Sequence, residues 1–144
     1  MDFFIAFNYS VNAVCFQKNE HKYGMICAWA TQVNFDKVLL LLGGQSITGK
    51  NISKGDIIGV SVLATKQENV RDTLGNNHSD AVDKFENLDY TLNESAILIN
   101  NASIQMVVEV IDVIHLEGIE EDNLVYGVVK SHTQSGAPMM PLMS

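Results

Sequence analysis

Proline is almost missing from this 144-residue chain: the only two, Pro138 and Pro141, lie in its last seven residues. With no Pro-rich linker, internal repeat or low-complexity block to divide it, the sequence predicts one domain. Cysteine is equally scarce. Cys15 and Cys27 do not form a Cys-x-x-Cys pair, and each sits in an apolar run, where a free thiol behaves as a small hydrophobe. A disulfide scaffold and a thiol-zinc site are both disfavoured. Positive charge is short as well, since 9 Lys+Arg against 17 Asp+Glu leave a formal net charge of −8. No broad basic face can neutralise several phosphates, so nucleic acid is not an expected partner. The longest strongly apolar run, Val38 to Leu42, is far below the roughly 20 residues that span a bilayer. The start, Met1-Asp2-Phe3-Phe4, has no positive n-region. These absences predict a soluble cytoplasmic protein with no membrane partner. His21, His78, His115 and His132 are scattered without paired spacing, so no metal site is expected.

What is present is a core. Apolar residues make up 47% of the chain, enough for a buried interior. Short β-rich runs separated by polar turns give six strand candidates: Val11 to Phe16, Gly24 to Ala30, Lys37 to Leu42, Ile57 to Leu63, Ser103 to Ile114 and Leu124 to Val129. In the fifth, Ile104, Met106, Val108 and Val110 point one way while Val107, Ile111 and Val113 point the other. Both faces read as covered, as in a barrel wall that also meets a second subunit. Helices are few. One is expected from a Thr65-x-x-Glu68 capping box to Gly75, a second over about Thr48 to Lys54 before Gly55, and a third in the acidic start from Asp2 to Phe7. Strands with a few peripheral helical turns predict a small β-barrel and not a doubly wound α/β sheet.

Lys37 to Asn51 reads as strand, glycine turn, helix start. Glycines admit an anion close to the backbone, and unpaired N–H groups with two hydroxyls, Ser46 and Thr48, can face it. Gly44 to Lys50 matches G-x-x-x-x-G-K, but Asn51 stands where a P-loop needs Ser or Thr to hold magnesium, and the helix is too short to cross a parallel sheet. An ordinary turn with Ser46 as N-cap stays open beside the phosphate reading.

The run Tyr23-Gly24-Met25-Ile26-Cys27-Ala28-Trp29-Ala30-Thr31-Gln32-Val33-Asn34-Phe35-Asp36 resembles the "N-G-x-x-A-S-W-x-T-Q-V-S" segment of flavin reductase-like, FMN-binding split-barrel proteins, which include the flavoredoxins. Further segments follow in the family's order. Ser46-x-Thr48 with Ile52 is similar to its "S-x-T-x-x-x-I" element, Gly59 to Leu63 to its "F-x-V-N-V-L-S" strand, and Asp83-Lys84-Phe85 to its "D-K-F" element. The likeness runs from about Val11 to Val129. Lys37-Val38 replaces the family's usual Pro-Pro, Gly43-Gly44 replaces a basic or polar residue, and the late His of "D-H-T-x-x-x-G-x-V" has no match.

The resemblance implies a mainly β, six-stranded split β-barrel that dimerises and binds FMN near the subunit interface. The domain would cover residues 1–133, with 134–144 as a loose C-terminal tail. By the resemblance the isoalloxazine lies against Trp29 to Asn34: Thr31, Gln32, Val33 and Asn34 supply contacts, and Cys27 and Trp29 supply wall. Its phosphate lies near Ser46, Thr48, Asn51 and the helix start, with Lys84 as a cation by family position and Lys50 by proximity. On residues alone Trp29 is either pocket wall or barrel core. The implied activity is that of an FMN-binding oxidoreductase or electron carrier, of NAD(P)H-dependent flavin reductase type, passing reducing equivalents from NAD(P)H or a redox protein to a flavin, metal complex or protein acceptor. No catalytic acid, base or nucleophile is required. The alternative is a non-catalytic FMN-binding protein or a dimeric interaction module with a decayed pocket. The acidic cluster Glu117, Glu120, Glu121 and Asp122 reads as a solvated loop.

Overall fold

Alternating apolar and polar residues fold into strands that curl around their shared apolar face. A computed structural model describes residues 4–75 and 83–142. Among the described residues nine strands form: β1 (Asn12–Lys18), β2 (His21–Cys27), β3 (Ala30–Asn34), β4 (Lys37–Leu42), β5 (Ile57–Val62), β6 (Tyr90–Asn93), β7 (Ala96–Ile99), β8 (Ile104–Ile114) and β9 (Asn123–Gln134). Two helices join them, α1 (Ile47–Lys50) and α2 (Glu68–Gly75). All the pairings are antiparallel, in the order β3-β4-β9-β8-β5-β1-β7-β6, with β2 added on β1. The β1–β2 hairpin closes on Asn19 and Glu20, both at positive φ (53° and 66°), the backbone that a two-residue turn between twisted strands requires.

The sheet is split. β2 pairs with β1 and β3 forms an edge, so no ladder joins β2 to β4 among the described residues. That seam is crossed at its corner, where the Leu41 amide donates to the Trp29 carbonyl over 2.8 Å, and α1 sits beside it with the Ser46 hydroxyl 3.2 Å from Met25 Sδ. The main core takes side chains from β1, β2, β4, β5, β8 and β9, including Phe16, Cys27, Leu40, Leu42, Ile58 and Val108. These are the six strands legible in the sequence, and they make the mainly β split-barrel architecture. A second core lies on the other face of β1, where Ala13 and Cys15 meet Leu63, Val70 and Leu74 of α2, Phe85 and Ile97.

Several expectations change. The strand expected from Gly24 to Ala30 breaks at Ala28-Trp29, where β2 ends and β3 turns away. The β6–β7 hairpin was not expected, because four residues per strand give too short an alternation to see; it turns at Glu94 (φ 55°) and covers Val107 on the outer face of β8. β9 continues past Val129 to Gln134, since polar Lys130 to Gln134 are held by their ladder to β8 and not by burial. α1 stops at Lys50, because the Asn51 amide donates to the Thr48 carbonyl and its side-chain amide donates to the Ile47 carbonyl. At α2 the Thr65–Glu68 box does not form. The Thr65 hydroxyl donates to the carbonyls of Pro138 and Met139 instead, and Gln67 Oε1 accepts from the Ala64 amide over 3.0 Å. The described part of the start, from Phe4, has no helix, and its first three residues, His78 and Met143 lie outside the described residues.

The tail expected to be loose from residue 134 is tied down. Val11 donates to the Met140 carbonyl, Met140 to Leu63 and Leu142 to Tyr9, and Met140 is buried in the second core. An apolar side chain with a slot to fill outweighs the entropy of a terminus. No described helix is long and apolar enough to cross a membrane.

Candidate flavin site

β3 holds most of the residues expected at the flavin ring. It is the sheet's edge strand, so one side of its backbone has no ladder partner, and Thr31, Gln32, Val33 and Asn34 are all exposed. Its register to β4 shifts between Gln32 and Asn34, an irregularity that re-aims the end of the strand. Around the turn, the Phe35 amide donates to Asn34 Oδ1 over 2.7 Å and Gln32 Nε2 donates to the Phe35 carbonyl over 3.2 Å, which orients both amide side chains. Trp29 precedes β3 at the corner, 47% exposed, edge-on to Tyr9 with ring centroids 5.1 Å apart. It belongs to neither core, so the reading of Trp29 as barrel core does not hold.

Beside β3 the end of the barrel opens into a cavity of about 340 Å³. Its floor is apolar, from Val38, Leu40, Val60 and Met106, and Thr31, Gln32 and His132 bring polar groups to its walls. His132 pairs with Met106 across β8 and β9, so both side chains share one face. The sequence gives His132 no role and puts Gln134 in the loose tail. The signal that could have found them is the alternation of His132 and Gln134 in phase with Ile104 and Met106 across the ladder.

The other expected residues divide. Cys27 is core, not wall: it is 2% exposed, its Sγ lies 3.5 Å from the Trp29 carbonyl, and burial pushes the thiol up to about 12. Ser46 is an N-cap whose Oγ accepts from the Gly49 amide over 3.1 Å. Thr48 is buried, at 1% exposure, and Asn51 caps α1, while Lys50 is exposed. Lys84 is interior, its ammonium donating to the carbonyls of Gly24 (2.8 Å) and Leu74 (3.0 Å). Gly24 faces Phe85 and Leu74 of the second core, whereas its neighbour Met25 faces the first core and Ser46. Lys84 and Ser46 therefore lie on opposite faces of β2. Along β4, Trp29 lies at the Leu41 end, from which the chain runs into α1, and Asn34 lies at the Lys37 end, while Lys84 lies with the second core. The acidic loop is also engaged, for the Gly44 amide donates to Asp122 Oδ1 over 3.1 Å.

A model of the flavin reductase-like domain matches residues 5–143, nearly the whole chain. The chain belongs to the flavin reductase-like domain family. Solved structures repeat its fold. The NADH:FAD oxidoreductase SgcE6 of Streptomyces globisporus superposes with a TM-score of 0.80 at 22% identity, over 90% of this chain and 77% of its own. The FMN-binding protein of Thermus thermophilus gives 0.81 at 18% identity, over 93% and 76%. Flavoredoxin from Methanosarcina acetivorans gives 0.79 at 15%, over 98% and 84%. No curated protein sequence matches the chain. Membership of this family supports a flavin-binding oxidoreductase function.

The residues fit a flavin at one end. An edge strand with open backbone groups, a hydroxyl, two amides and an indole face suit a flat, polar-edged ring, and the apolar cavity beside them keeps water away. The hydroxyls and lysine expected at the phosphate end are engaged within the protein's own framework.

Proposed function

We propose that the chain is an FMN-binding oxidoreductase or electron carrier whose ring site is the Trp29 to Asn34 segment. The observation that carries this reading is the exposed edge strand β3 standing beside a half-open apolar cavity. A bound flavin supplies the exchange of reducing equivalents with a donor such as NAD(P)H or a redox protein. The chain's own residues bind and orient. The open edge of β3 and the amides of Gln32 and Asn34 hold the polar rim of the ring, Trp29 covers a face, and Val38, Leu40 and Val60 exclude water. Positioned donors of this kind stabilise charge as it develops, with no nucleophile or general base among them. Among the described residues no group of His, Cys, Asp and Glu could hold a metal ion.

The proposal includes a homodimer. Phe4, Phe7 and Phe35 are 88%, 73% and 97% exposed, with Trp29 and Val33 about half exposed, apolar side chains that a second copy would cover. A non-catalytic flavin-binding protein is the second reading, favoured by the occupied phosphate-end residues. Steady-state oxidation of NADH and NADPH with added FMN separates the two. Turnover with either donor supports a reductase; tight flavin binding without turnover leaves the carrier or the non-catalytic binder. Replacing Gln32 by Ala together with Thr31 by Val is expected to weaken FMN binding about tenfold with the fold retained by circular dichroism. Unchanged affinity would move the ring site off β3.

A further inference from the structure

Three consecutive residues, Glu121 and Asp122 before β9 and Asn123 at its start, close over the glycine turn that follows β4. The Glu121 carbonyl lies where a Gly44 side chain would begin, 1.7 Å from an ideal Cβ. The Asp122 carboxylate accepts the Gly44 amide at 3.1 Å, and Asn123 Nδ2 donates to the Gly49 carbonyl at 3.2 Å. These contacts are framework and not loop wander, because Leu42 and Asn123 pair directly in the β4–β9 ladder. The turn has the glycines and the helix start of a phosphate cradle, yet the Gly44 amide is taken by a carboxylate of the same chain. The other expected ligands are engaged too. Ser46 Oγ accepts from Gly49, Thr48 is buried, and Lys84 lies on the opposite face of β2.

We propose that Asp122 is a specificity-determining residue that keeps the terminal phosphate of a flavin out of the Gly43-Gly44 turn. The inference rests on the reading of β3 as the flavin wall and extends it to the other end of the cofactor. An amide already donating to a fixed anion cannot also grip a phosphate, and the two negative groups repel where they approach. Affinity then comes from the ring alone, and the chain binds riboflavin and FMN alike. FMN is held, but its phosphate is not read.

The test is fluorescence titration of the full-length protein with riboflavin and with FMN, at one ionic strength, for the wild type, Asp122→Ala and Asp122→Asn. The expected wild-type dissociation constants agree within about threefold, a free-energy difference small on the scale where tenfold is ~1.4 kcal/mol. Asp122→Ala frees the amide and removes the charge, and FMN tightens about tenfold while riboflavin is unchanged. Asp122→Asn keeps an acceptor for Gly44, removes only the charge, and gives a smaller gain for FMN. If Asp122→Ala fails to fold by circular dichroism, the wild-type ratio and Asp122→Asn decide. A wild type that binds FMN at least about tenfold more tightly than riboflavin overturns the proposal and leaves the ring site standing. So does FMN affinity unmoved in the folded variants. Binding of neither flavin by the wild type overturns this proposal and the ring site together.

Discussion

Lys84 donates to two carbonyls, those of Gly24 in β2 and Leu74 in the last turn of α2, and is only 6% exposed. Lys84→Met removes both of these buried, charge-assisted hydrogen bonds, so a loss of roughly 2–4 kcal/mol in urea unfolding is expected, with flavin affinity unchanged. A parallel loss of flavin would restore the phosphate role given to this residue by family position. The sequence could not show the difference, because a lysine after a helix looks the same whether it faces a ligand or a helix end. The two cysteines were legible as hydrophobes. Burial pushes both Cys15 and Cys27 up to about 12, with the Lys84 charge pulling Cys15 back in part. The unfolded thiols ionise near 9 while the folded ones stay neutral. Stability from this source is therefore complete below pH 9 and is lost as pH rises toward 12. Thermal unfolding followed across that interval should show a falling midpoint, and Cys15→Ala with Cys27→Ala should flatten the fall. Neither thiol should react with an aromatic disulfide reagent at pH 8 until denaturant is added.

Elements were readable where they are long and unreadable where a tertiary partner defines them. Each of the six barrel strands carries enough apolar residues to announce itself, as Val38, Leu40 and Leu42 do along β4. The β6–β7 hairpin does not, and the Thr65 cap gave way to Gln67 because the tail offers Thr65 two carbonyls that no local pattern contains. Close approach of elements makes its own prediction. A Cβ at Gly59 on β5 would stand 2.0 Å from the Ile97 carbonyl oxygen of β7, so Gly59→Ala must push the hairpin off the barrel. A destabilisation of about 3 kcal/mol or more is expected in denaturant unfolding, the range of backbone clashes in a core. Ser46→Ala is milder, costing about 1 kcal/mol as a lost N-cap, with riboflavin binding unchanged. Full retention of stability would mean that the hydroxyl does not cap α1.

At the scale of the molecule, fold and site follow from one feature, the open seam. A barrel closed between β2 and β4 would pair away the edge that β3 presents, whereas the Ala28-Trp29 corner turns the chain outward and leaves that edge free next to the cavity mouth. The proposed ring end, Trp29 to Asn34, is one continuous segment and can be singled out from sequence alone. The phosphate end was not, because the contact of Asp122 with Gly44 joins residues far apart in sequence. The exposed Phe4, Phe7 and Phe35 predict that size-exclusion chromatography with light scattering gives a mass near twice 15.9 kDa, and that Phe35→Glu lowers it to one chain. A wild type that runs as a single chain would assign those side chains to something other than a second copy.

Trp29 is the only tryptophan in the chain, and it stands at the proposed ring site. Titrating the flavin-free protein with FMN while following tryptophan emission therefore tests the central claim most directly. The account predicts saturable quenching that ends at one FMN per chain, weakened by the Thr31→Val and Gln32→Ala pair. Emission that does not change with FMN, or quenching that the pair leaves untouched, would contradict it.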